Sequence, residues 1–263
     1  MLLHESRYHV QNKEDMAEII NLMYHDVISP EYPHSGFQKV GALQYTLEAS
    51  TFEDHVKTIA GNDNVIFTFD DGGSCFYSLV ASILERHNRR GIFFISTRYI
   101  GSQYFLTAEE IKRLDERGHI IASHSHTHPN NMSLMSREEC LQEWKESKMR
   151  LEEIIGHPIN TASLPGGAMS DDVLNTAIEA GFTKIYTSVP TTNITQMGKA
   201  EILGRYGITS HTTKDKLIRI IIEKKKRDSL YMKYLLVSMT KRILGSRYND
   251  VKQFLLKIRR KAL

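Results

Sequence analysis

The chain has 263 residues, 41% of them hydrophobic and 25% charged, with a formal net charge of +3. That length and apolar content suffice for one large core, and the balanced charge excludes both a disordered chain and a uniformly basic nucleic-acid binder. Cys75 and Cys140 stand too far apart in sequence to form a short-spaced redox or metal pair, so no disulfide framework is expected.

Along the chain, short apolar β-rich runs alternate with amphipathic segments of helical length, the pattern of an α/β protein with parallel strands. A first strand is expected over Ile20–Val27. A loop to Leu43 follows, whose Pro30, Pro33, Gly36 and Gly41 mark it as a mobile rim. Helix Thr51–Ala60 then precedes strand Asn64–Asp70, helix Ser74–Arg89 and strand Gly91–Thr97. Helix Thr107–Arg117 and strand His119–Ser125 come next, then helix Ser136–Ile155 and strand Asn160–Pro165. Thr107 with Glu110 and Ser136 with Glu139 have capping-box spacing, and Gly118, Gly156 and Gly181 stand where left-handed helix caps want glycine. Helix Ser170–Ala180, strands Lys184–Ser188 and Glu201–Ile208 and helix Thr213–Lys226 complete seven β/α units. Seven such units can close as a barrel or stay open as a doubly wound sheet, and both place chemistry at the C-terminal strand ends.

Two of those ends carry reactive groups. The run Val65–Phe69 leads into Asp70-Asp71-Gly72-Gly73. Adjacent acids on an extended chain point to opposite sides, so one can ligate a metal while the other stands free as a base. A turn or helix cap is the bland alternative for Asp and Gly there. The second end reads His124-Ser125-His126-Thr127-His128. His124 and His128 are four residues apart, within reach of one metal ion, and His126 between them is expected to turn away. Together with a strand-end Asp-Asp, these histidines point to a two-histidine, one-carboxylate metal site.

In these segments the sequence resembles the polysaccharide deacetylases of carbohydrate esterase family four. Their Thr-Phe-Asp-Asp-Gly motif stands here as Thr68–Gly72 and their His-Ser-x-Thr-His motif as His124–His128; Leu22–Val27 is similar to their first-strand Met-Tyr-His segment. The resemblance implies a distorted (β/α)7 barrel in which Asp71, His124 and His128 bind a divalent metal, zinc above all, and Asp70 is the general base. Such an ion polarises the acetyl carbonyl while the base takes a proton from the attacking water. The third motif departs from the family. Ser163-Leu164-Pro165-Gly166-Gly167 replaces Arg-Pro-Pro-Tyr-Gly, so the arginine that pairs with the base is missing. Arg205 is the candidate replacement, with a surface arginine at a strand end as the alternative, and the Gly166 N–H is a candidate oxyanion donor. The fourth motif's Asp-Trp is absent, and His211 does not fit the frame of the fifth, Leu-x-His. Deacetylases of poly-N-acetylglucosamine resemble this chain at the first strand, which implies that His25 serves near the leaving amine, with Tyr24 beside the substrate.

The implied reaction is removal of an N-acetyl or O-acetyl group from an amino sugar of a polysaccharide or glycan precursor. Deacylation of another amide or ester, and a metal-retaining but catalytically impaired glycan-binding protein, are the competing readings. Residues 214–262 hold 16 Lys and Arg against 4 acids, or +12, which leaves 18 against 27, or −9, for the remainder. This divides the chain into a barrel over 1–226 and a basic helical extension over 227–263, whose apolar residues suit peripheral contact with an anionic membrane. No nucleic-acid recognition motif accompanies the charge. No run reaches the roughly 18 apolar residues of a spanning helix, and Met1–Arg7 lacks the apolar run of a secretory leader, so the expected location is the cytoplasm, peripheral at the inner face of the membrane.

Overall fold

The computed structural model describes residues 18–244. Seven expected strands are present: β1 (Ile20–Tyr24), β2 (Val65–Phe69), β3 (Gly91–Ile95), β4 (Ile120–Ser123), β5 (Thr161–Ser163), β6 (Lys184–Tyr186) and the last, which is split. Its first half, β7 (Ala200–Leu203), pairs in parallel with β6, and its second half, β8 (Tyr206–Gly207), pairs in parallel with β1. The sheet order is therefore β8-β1-β2-β3-β4-β5-β6-β7, and a short antiparallel strand, Thr195–Met197, lies outside β7. Because both edges belong to one segment, the parallel sheet curls until they meet, which is the distorted barrel. The split has a local cause. A Cβ on Gly204 would stand 2.4 Å from the Thr191 carbonyl oxygen and 2.5 Å from that of Val189, so only glycine fits where the chain crosses between the edges.

The helices on the outside follow the sequence signals. Both capping boxes form, Thr107 with Glu110 at α3 (Ala108–Glu116) and Ser136 with Glu139 at α4 (Arg137–Ile155). Helices α1 (Ala49–Ile59) and α5 (Asp171–Glu179) lie where expected. The helix expected over 74–89 is shorter and irregular, a π-turn at Phe76–Val80 running into α2 (Ala81–Arg86). The final expected helix breaks at Glu223, whose extended backbone separates α6 (Lys214–Ile222) from α7 (Lys224–Leu244). The helix that opens the basic extension thus begins before residue 227; residues 245–263, with the rest of that extension, lie outside the described residues.

Strand alternation sorts side chains into two layers. Ile20, Leu22, Tyr24, Val65, Phe67, Phe69 and Phe93 face the helices and build the main core. Ile92, Phe94, Ala122, Tyr186 and Leu203 fill the barrel interior. Continuing the inner alternation past the strand ends brings His25, Asp70, His124 and Arg205 to one mouth.

Candidate active site

Four strand ends converge on a cavity of about 470 Å³ lined by His25, Asp70, Asp71, His124, His128 and Gly166 among others. His124 Nε2 lies 3.4 Å and His128 Nε2 3.2 Å from Asp71 Oδ1, and the three ligating atoms fall within 4.8 Å of one another. His124 Nδ1 stands 3.2 Å from the Ser163 carbonyl oxygen and 2.6 Å from its hydroxyl. A carbonyl can only accept, so Nδ1 donates, and Nε2 is the ring nitrogen turned toward the Asp71 carboxylate. Two imidazole nitrogens and a carboxylate oxygen converging in one place form a nitrogen, nitrogen, oxygen donor set, which suits a divalent metal, zinc among them.

The chain is bent to achieve this. Asp71, Ser125 and His128 all take positive φ, at 85°, 62° and 53°, conformations that L-residues seldom adopt without compensation. This corrects one expectation. The two aspartates do not point to opposite sides, because the chain leaves the extended form at Asp71 and both carboxylates face the cavity.

Arg205 is fully buried and grips Asp70 with both arms, Nη1 to Oδ1 at 2.6 Å and Nη2 to Oδ2 at 2.8 Å. Its Nε donates to the Thr187 carbonyl at 3.1 Å, and the guanidinium lies 5.2 Å from the Phe94 ring centre. Burial alone would raise the Asp70 pKa; the charge of Arg205, followed by that of His124, outweighs it and holds Asp70 below the usual carboxylate range. For Asp71, burial is likewise the largest influence, and hydrogen bonds with His124 and His128 overcome it, leaving the group well below its ordinary value. The last strand therefore supplies the cationic partner of Asp70. Ser163, at the position of the missing motif-three arginine, bridges instead, its hydroxyl 3.4 Å from Asp70 Oδ1.

His25 is half-buried at the cavity wall and stacks on Tyr45 with ring centres 4.6 Å apart. Its Nδ1 has no hydrogen-bond partner among the described residues. Burial lowers its pKa, opposed by the charges of Asp71 and Asp70. Gly166 lines the cavity with φ 62°, a conformation glycine adopts freely.

Tyr24 is a correction. It lies one residue from His25 and so on the opposite face of β1, fully buried against Phe52, Phe67 and Phe69, its hydroxyl 3.3 Å from His55 Nδ1. It does not line the cavity. His126 turns away as expected, toward Thr97 and Glu146, and exposed His211 also lies outside the cavity lining. Glu143 was not anticipated. From α4 it accepts the backbone N–H groups of His126 and Thr127 at 2.9 and 2.8 Å and the Thr127 hydroxyl at 2.7 Å, clamping the loop between the two histidines. Its place three residues after Cys140 and four before Ser147, on the helix's buried stripe, is the signal that could have revealed it.

Comparison with known proteins agrees with this geometry. The polysaccharide deacetylase family model matches residues 57–185. A chitooligosaccharide deacetylase of Sinorhizobium fredii is 29% identical over 142 residues, 52% of this chain and 64% of that protein. A peptidoglycan-N-acetylglucosamine deacetylase of Bacillus cereus is 30% identical over 118 residues, 44% of this chain and 41% of that one. The match thus spans less than two thirds of either relative. A Streptococcus pyogenes deacetylase solved with acetate shares the fold, with a TM-score of 0.65 at 19% identity, covering 78% of this chain and 98% of that one. Over residues 57–185, where both acidic and histidine motifs fall, the chain matches the polysaccharide deacetylase family model.

Proposed function

We propose that the protein is a metal-dependent hydrolase that removes acetyl groups, N-linked before O-linked, from an amino sugar of a polysaccharide or glycan precursor. The observation that carries this is the buried two-armed Arg205–Asp70 ion pair beside the Asp71, His124 and His128 cluster. It gives the chain a substitute for the missing arginine, whose loss is the main argument for an inactive glycan-binding protein.

Asp71, His124 and His128 would hold the ion, zinc by the donor set, and when bound it supplies Lewis acidity and lowers the pKa of a coordinated water. Asp70, kept ionised and oriented by Arg205, accepts a proton from the water that attacks the acetyl carbonyl. The Gly166 backbone N–H is the candidate donor to the oxyanion that develops on the carbonyl. His25 is the candidate to hand a proton to the departing amine; burial lowers its pKa, so the ring must first take that proton up, and the one Asp70 removes from water balances it.

Release of acetate from a panel of acetylated amino-sugar oligomers tests the assignment. Wild type is expected to turn over at least one, and Asp70→Asn to lose about 100-fold or more of that rate while retaining its metal on elemental analysis. Equal inertness of both, combined with binding of a saccharide, would leave the glycan-binding reading in its place.

A further inference from the structure

Helix α7 touches the barrel by one face. Arg227 is buried there, donates to the Ile220 and Ile221 carbonyls and pairs with Glu18, and Tyr234, two turns on, lines the catalytic cavity. The opposite face is apolar and uncovered among the described residues. Met232, Leu236, Met239 and Ile243 follow at spacings of four, three and four, hence on one stripe, and are 56%, 63%, 60% and 79% exposed. At about 100° per residue that stripe stands across the helix axis from Arg227 and Tyr234. Exposed Lys225 shares its direction and exposed Lys224 and Lys233 flank it. The whole helix carries seven Lys and Arg against Asp228 alone.

An exposed apolar stripe rimmed by cations has an amphipathic complement, a surface that is negative outside and oily just beneath. An acidic polymer would pair with the lysines and leave the stripe in water, and an apolar protein groove would leave the lysines without anions. A second element at the cavity rim has the same character. In the short helix Val40–Leu43, Val40 is 88% exposed, and Lys39, Gly41 and Ala42 line the cavity. No helix among the described residues is long and apolar enough to cross a bilayer.

We propose that α7 docks the protein on an anionic lipid surface, the stripe seated at the boundary between headgroups and acyl chains and the lysines among the headgroups. One consequence rests on the functional reading given above. Tyr234 and the stripe are separated by about one helix diameter, ~10 Å, so a glycan held at the membrane comes within reach of the metal site, and a lipid-linked acetylated saccharide is the substrate class that fits.

Flotation of the full chain with vesicles tests the docking independently of turnover. Wild type is expected to float with phosphatidylcholine vesicles containing phosphatidylglycerol and to bind pure phosphatidylcholine more weakly. The triple variant Leu236→Ser, Met239→Ser, Ile243→Ser should bind anionic vesicles about tenfold more weakly or worse with an unchanged melting temperature. Met149→Ser, equally exposed but on α4, should bind as wild type does. Wild type that stays at the bottom of the gradient, or that floats equally well with neutral vesicles, overturns the proposal. So does a triple variant that still floats, which would mark the helix as a purely electrostatic binder of acidic polymers. Flotation without turnover of any saccharide would keep the docking and discard the functional reading.

Discussion

Arg205 determines how Asp70 can work. A carboxylate buried this deeply, left without a partner, would take up a proton and cease to be a base, and the two-armed guanidinium removes that outcome. The arginine comes from the junction of β7 and β8, not from the strand that carries Ser163, so the interaction is kept while its place in the sequence changes. Tyr24 and His25 show how narrow such assignments are, since a shift of one residue along β1 separates the cavity from the core. The neighbouring Asp26 is also buried, and Gly36 and Gly73 make room for it. A Cβ on either would stand within 2.4 Å of its carboxylate oxygens. Burial first, and the charge of Asp71 second, push its pKa from 3.8 up to about 7. The folded chain then holds a proton that the unfolded chain releases between those values. The stability this group contributes is therefore complete below about pH 4 and is lost as the pH rises toward 7, at up to ~1.4 kcal/mol per pH unit. Chemical denaturation across that window should show wild type losing stability relative to Asp26→Asn; parallel curves would mean that no proton is held there.

Among the elements, α4 does more than cover the sheet. Its inward face carries Cys140, Glu143, Trp144, Ser147 and Leu151, and two of its polar members hold the ligand loop and the strand before it. Glu143 satisfies two backbone N–H groups between His124 and His128, in a segment where positive φ at Ser125 and His128 has to be offset. Glu143→Ala should lower metal affinity by about 10- to 100-fold without touching the ion. Competition against a chromophoric chelator measures this. An affinity equal to wild type would show that the loop holds its shape unaided. The existence and ends of α4 were legible from its capping box and Gly156, and its inward glutamate was not, because that residue stands among many solvent-facing acids.

For the molecule as a whole, Asp71, His124 and His128 follow the ends of β2 and β4, which flank β3 in the sheet, so they meet only when those strands assemble. An ion that binds this arrangement and not the unfolded chain stabilises it by about 2.7 kcal/mol at a hundred times its Kd. Adding a strong chelator should accordingly lower the melting temperature of wild type by several degrees and leave that of Asp71→Asn unchanged. A wild-type melting temperature indifferent to the chelator would indicate that no ion is held.

By itself the sequence determined the order of strands and helices and singled out the Asp-Asp and His-Ser-x-Thr-His motifs, because strand periodicity, helix caps and closely spaced motifs are local signals read within a few residues. The tertiary structure decided what depends on residues far apart in the chain. It closed the sheet through a strand split at Gly204, brought Arg205 to Asp70 across 135 positions, set both aspartates facing one cavity and placed Tyr24 in the core. It also turned Tyr234 inward and the apolar stripe of α7 outward. A two-armed ion pair or a buried face belongs to the packing of separate segments, so Arg205 stood as one of two readings until the last strand was placed beside Asp70.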